Sequence, residues 1–133
     1  MNLFAYGTLM WPEVMEALLG RRPEGIPAVL AGYRRLRLKA KHYPVMVAAS
    51  GAAVEGTLYT GLSEKDFEVL DAFEGEEYDR ETVSLGSGFA QAYILAPRWR
   101  HLADSVPWRP EQFKPEHFAD LGLDVPIKID ASR

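Results

Sequence analysis

Leu3-Phe4-Ala5-Tyr6-Gly7-Thr8-Leu9 is an apolar run broken by a glycine, and Met10-Trp11-Pro12-Glu13 follows it directly. The run reads as a strand. Gly7 permits a tight turn, and Pro12 suits the first turn of a helix, where a missing N–H is no loss. Val14, Leu18 and Leu19, with Met15 beside them, keep helical spacing until Gly20 stops the helix. A strand that runs through a glycine straight into a helix leaves backbone N–H groups free to face an anionic ligand. It is not a phosphate loop, because it lacks the glycine spacing and the lysine that a triphosphate needs.

Beyond Gly20, residues 21–27 read as a loop from Pro23, Gly25 and Pro27. Residues 28–39 alternate loosely, Leu30, Leu36 and Leu38 against Arg35, Arg37 and Lys39, which predicts a strand with one basic face. His42-Tyr43-Pro44 makes a bend and Val45-Met46-Val47-Ala48 a short strand. Ser50-Gly51 turns the chain into another strand, Val54-Glu55-Gly56-Thr57-Leu58-Tyr59, in which Gly56 marks a bulge or a close backbone approach. Ser63-Glu64-Lys65-Asp66 has nearly the form of a capping box, and Phe67, Leu70 and Phe73 line one face of the helix it opens. Glu74-Gly75 ends that helix. Residues 78–85 and 89–95 are strands joined at Gly86-Ser87-Gly88, a hairpin turn.

From Pro97 onward the texture changes. Five of the nine prolines fall between 97 and 126, with Trp99 and Trp108 among them, and residues 115–121 read as a short helix. The stretch 97–133 is too short for its own core, so we read residues 1–133 as one domain with an irregular, wrapping tail. Two helices among six strands, several closely connected, indicate an α+β class with a mainly antiparallel sheet that could close on itself.

Composition narrows the function. A chain of 133 residues with 47% hydrophobic and 26% charged residues is ordinary globular material, long enough to bury a core. Its net charge of −4 gives no overall positive field to draw in nucleic acid. Cysteine is absent, which removes disulfides, thiolate nucleophiles and cysteine zinc sites. His42, His101 and His117 are scattered without ligand spacing, so no metal is expected, though carboxylates alone could hold magnesium. The N-terminus lacks a charged region before its apolar run, and no segment has membrane-spanning length, so a cytoplasmic protein without a membrane partner is expected. Oligomeric state is left open.

The second informative stretch is Leu70-Asp71-Ala72-Phe73-Glu74-Gly75-Glu76-Glu77-Tyr78-Asp79-Arg80. A carboxylate at a helix end beside Phe73 can lose water, which raises its pKa and suits it to proton transfer near neutrality. The same residue also fits an ordinary surface carboxylate at a helix terminus. With Tyr6-Gly7-Thr8-Leu9, the Leu-Asp-x-Phe-Glu-Gly segment, Tyr-x-Arg at 78–80, Tyr43-Pro44, the strand at 54–59 and the Tyr93 strand in this order, the chain resembles the γ-glutamylcyclotransferase-like family, in its small single-domain, γ-glutamylamine type, over residues 3–95.

The resemblance implies a small mixed, mainly antiparallel β-barrel flanked by two main helices, with a cavity at one mouth. It implies Glu74 as catalytic acid/base, and Tyr6, Gly7, Thr8 and Leu9 as holders of a γ-glutamyl unit; Tyr78 sits where a further site residue is expected. The implied reaction converts a small γ-glutamyl amine or amino-acid conjugate into 5-oxoproline and a free amine, with no cofactor. The substrate's own α-amino nitrogen attacks its γ-carbonyl, so no serine or cysteine nucleophile is needed. The alternative is a non-catalytic member of the same fold that binds a small carboxylate or a protein partner.

Other features read more plainly. The basic stretch Arg34, Arg35, Arg37, Lys39 and Lys41 could draw an acidic substrate, a carrier protein or nucleic acid, but a strand face that shows Arg35, Arg37, Lys39 and Lys41 to solvent and guards a sheet edge is the expectation. Glu55 is expected in solvent or paired with an arginine. Glu76, Glu77, Asp79 and Glu81 should be mostly solvated, and any that lies near Glu74 would raise its pKa further. Trp99, Trp108, Phe113 and Phe118 are expected to pack the tail onto the core rather than form a lid.

Overall fold

Alternation along the first strand sends its side chains into two of the core's three clusters. In β1 (Leu3–Ala5), Leu3 and Ala5 join Val14, Met15, Phe67 and Leu70, whereas Phe4 and the following Tyr6 join Leu30, Met46, Val54 and Ile94. The first cluster lies under the helices and the second within the curl of the sheet. The computed structural model describes residues 1–38 and 44–108. The bend at 42–43, Lys39, Lys41, Phe113, Phe118 and the helix expected at 115–121 lie outside the described residues.

After β1, a 3-10 turn (Thr8–Met10) precedes α1 (Pro12–Leu19), so the strand does not run straight into the helix. Pro12 opens α1 and Gly20 closes it at a φ of 79°. Then come β2 (Gly25–Leu38), β3 (Pro44–Tyr59), α2 (Glu64–Glu74), β4 (Tyr78–Ser84) and β5 (Phe89–Leu95). A second 3-10 turn (Pro97–Leu102) leads to β6 (Ala103–Pro107).

The six strands form one sheet in the order β4-β5-β1-β3-β2-β6. β1 runs parallel to β5 and every other pairing is antiparallel. The sheet curls into a half-barrel with few helices, an α+β fold as expected. Gly56 is the close approach anticipated for it: a Cβ there would run into the Ala5 carbonyl oxygen and the Phe4 ring.

Three expectations need correction. Residues 45–48 and 54–59 are one strand, because Gly51, at a φ of 82°, absorbs the extra residues in a register shift opposite Ala31 and Tyr33 instead of reversing the chain. β2 starts at Gly25, inside the expected loop; its outer edge is paired with β6 only at Leu36 and Leu38 among the described residues, so Pro27 removes no ladder bond there. Residues 97–107 are a regular turn and strand, not irregular chain, held by the β2 ladder and by a 2.6 Å ion pair from Arg37 to Asp104.

The α2 cap forms as the sequence suggests. The Ser63 hydroxyl accepts from the Asp66 N–H at 3.1 Å, and the Asp66 carboxylate accepts from the Ser63 N–H at 2.9 Å. Arg21, just beyond α1, grips the same carboxylate with two bonds of 2.9 and 2.5 Å and so links the two helices.

Candidate active site

Where β1 ends, the backbone is held from several sides. The Tyr6 hydroxyl donates to the Tyr93 carbonyl, and Arg35 Nη1 donates to the Tyr6 carbonyl at 2.8 Å. Gly7 passes beneath Pro44 so closely that a Cβ would sit 2.5 Å from Pro44 Cγ. The turn then bonds Met10 N–H to the Gly7 carbonyl at 2.9 Å and Trp11 N–H to that of Thr8 at 3.2 Å. From below, the buried Tyr59 hydroxyl is shared by the Leu9 and Met10 carbonyls at 2.7 and 3.2 Å. Among the described residues, the N–H groups of Gly7, Thr8 and Leu9 have no acceptor. The carbonyls are tied back and the amides are left over.

The last turn of α2 forms the opposite wall. Gly75 N–H closes the helix on the Asp71 carbonyl at 3.2 Å, and the Asp71 carboxylate accepts from the Tyr93 hydroxyl at 2.7 Å, with Arg80 3.5 Å away. Helix spacing puts Glu74 one turn beyond Asp71, on the same side. Tyr78, at the start of β4, donates to the Pro44 carbonyl at 2.8 Å.

Between these walls lies a cavity of about 220 Å³. It is bordered by Tyr6, Gly7, Thr8, Leu9, Glu74 and Tyr78, all six residues singled out in the sequence. Glu74 is half-buried and borders the cavity, where its carboxylate is stripped of water. That loss of water pushes its pKa from 4.5 up to about 8. Burial is the cause. Burial also drives the Tyr6 phenol well above its usual range, with the charges of Tyr78 and Glu74 adding to the rise. The Tyr93 phenol is raised likewise, by burial and then by its bond to Asp71.

Of the other residues, Glu77 and Arg35 depart from expectation and the rest follow it. Glu77 borders the cavity, while Glu55, Glu76 and Glu81 are exposed. Arg35 is not on a solvent-facing surface: besides Tyr6 it donates to the Trp108 and Glu55 carbonyls, at 3.2 and 3.1 Å, and lies over the Trp108 ring. Arg37 does face out, and so does its neighbour Arg34. Trp108 packs into the core, edge-on to Trp11, as expected of the tail aromatics. Tyr93 and Tyr59 were not assigned site roles from sequence, because their partners lie tens of residues away and leave no local pattern.

A family profile described as gamma-glutamyl cyclotransferase, AIG2-like matches residues 3–110. The chain belongs to this family. Among Arabidopsis thaliana relatives, AIG2-like protein C is 42% identical over 84 residues, 63% of this chain and 49% of its own length. AIG2-like protein A is 40% identical over 84 residues, 63% of this chain and 51% of its own. The chain thus spans about half the length of these AIG2-like relatives. A solution structure of an Arabidopsis thaliana protein, 31% identical, superposes with a TM-score of 0.67 over 91% of this chain and 81% of that one. A solved gamma-glutamyl cyclotransferase, 16% identical, gives a TM-score of 0.63 over 98% of this chain and 89% of that one. At that identity the likeness shows the fold alone. Among the described residues, no helix is long and apolar enough to cross a membrane.

Proposed function

We propose that this chain is a γ-glutamyl cyclotransferase that turns a γ-glutamyl amine or amino-acid conjugate into 5-oxoproline and the free amine. One observation carries the reading: Glu74 and residues 7–9, whose amides lack an acceptor among the described residues, border the same small cavity. At about 220 Å³ it lies below the roughly 300–1,000 Å³ of drug-sized sites, which favours a compact ligand.

The amides of Gly7, Thr8 and Leu9 hold the anionic end of the glutamyl unit or polarise its γ-carbonyl. The α-ammonium group must lose a proton before it can attack. Glu74 accepts that proton; the freed nitrogen forms a bond to the γ-carbon and the bond from that carbon to the leaving nitrogen breaks. Glu74 returns the proton to the departing nitrogen, and the second proton that the ring nitrogen sheds on closure leaves with the amine, which departs as an ammonium ion. A carboxyl at about 8 is far closer to an amine in basicity than an ordinary carboxylate is, so transfer in both directions is nearly balanced. Folding the glutamyl chain into attack geometry supplies the rest, up to about 7–11 kcal/mol.

The test is 5-oxoproline release from a panel of γ-glutamyl conjugates. Glu74→Gln should lower turnover by at least about 10²-fold with the fold intact by circular dichroism. Release at the wild-type rate removes Glu74 from the mechanism, and no release from any conjugate favours a binding protein of the same fold.

A further inference from the structure

The cavity wall carries a second carboxylate that the ring closure does not use. Glu77 is half-buried and borders the cavity, three residues beyond Glu74. Its Oε2 lies 3.0 Å from the point where a Cβ on Gly75 would stand, so the carboxylate lies over the end of α2 beside Gly75. Among the described residues that border the cavity there is no lysine, arginine or histidine. Arg98 donates to the Glu76 carbonyl at 2.9 Å and Arg80 lies against Asp71, both away from that lining. A carboxylate on the border of such a cavity is a ready partner for a cation brought by the ligand.

We propose that Glu77 selects the leaving group, favouring γ-glutamyl conjugates whose departing amine carries a second positive charge and disfavouring those that carry a carboxylate. The inference rests on the cyclotransferase reading. With the anionic end of the glutamyl unit on the amides of residues 7–9 and the reacting nitrogens at Glu74, Glu77 is, among the described residues of the lining, the charged group left to face the departing portion. Gly75 between the two acids matters to this placement, because a side chain there would meet the Glu77 carboxylate.

The experiment compares γ-glutamyl conjugates of diaminobutane, pentylamine and aminopentanoate, which match in length and differ in end charge. For the wild type, kcat/KM should fall about fivefold at each step from cationic to neutral to anionic, the size expected of one ion pair at a half-buried rim. Added salt should narrow the ranking. Glu77→Gln should bring the three within about twofold of one another, and Glu77→Lys should invert their order. A ranking unchanged in both variants overturns the proposal. An equal loss for all three conjugates also overturns it, since Glu77 would then hold the glutamyl unit itself. If no conjugate releases 5-oxoproline, the cyclotransferase reading fails first, and the ranking is read from calorimetric affinities on Glu74→Gln protein with and without Glu77→Gln. Loss of the diaminobutane preference on adding Glu77→Gln supports selection by Glu77, and its persistence refutes it.

Discussion

Glu74 sets function against stability within one side chain. In the unfolded chain its carboxyl ionises near 4.5, whereas the folded site keeps the proton to about 8. Between those values the unfolded state binds fewer protons, so stability falls as pH rises through this window. Glu74→Gln has no proton to lose, and its melting temperature relative to wild type should climb between pH 5 and pH 8; a constant difference would contradict the burial of the carboxyl. In the active protein, kcat/KM should rise with pH along a limb near 8, and Glu74→Gln should lose the part of that limb due to the enzyme. Gly7→Ala belongs to the same scale. Its methyl would meet Pro44 at 2.5 Å and push the turn away from the cavity. A drop of about 10²-fold in kcat/KM is expected from such misplacement, with about 1–3 kcal/mol lost in urea titration. Wild-type kinetics in this variant would mean that the position of the turn is unimportant.

At the scale of elements, two polar devices hold the site's walls. Tyr59 in β3 ties down the 3-10 turn, and Tyr59→Phe leaves the Leu9 and Met10 carbonyls short of a donor at a cost of about 1–3 kcal/mol. A raised KM with a lowered denaturation midpoint is the expected pair of effects, and an unchanged KM would show that the amides need no such anchor. The second device is the start of α2, whose last turn carries Glu74. Ser63→Ala should cost about 1 kcal/mol through loss of the cap. Arg21 and the cap bonds hold the Asp66 carboxyl well below its usual 3.8, so their stabilisation is complete at neutral pH and fades as pH falls below that value. Arg21 is half exposed, so salt should weaken the pair. An acid-unfolding curve for Asp66→Asn that shifts in parallel with wild type at every pH would refute this linkage.

Across the whole molecule, what could be read in advance depended on range. Helix stops, the α2 capping box, the hairpin at Gly86 and the strand alternation around Phe4 are written in neighbouring residues, because turn chemistry and side-chain period act over a few positions. Those local rules, with the two motifs in their order, determined an α+β chain and named the residues now found around the cavity. Only the tertiary structure decided that β3 runs unbroken, that Arg35 turns inward and that Glu77 and Tyr93 border the cavity. Each of those outcomes depends on sheet curl and on partners distant along the chain, such as Tyr59 beneath Leu9 or Tyr78 against Pro44. Glu74 joins both kinds of information: its place at a helix end follows from nearby residues, but the enclosure that raises its pKa exists only once β1, α2 and β4 meet.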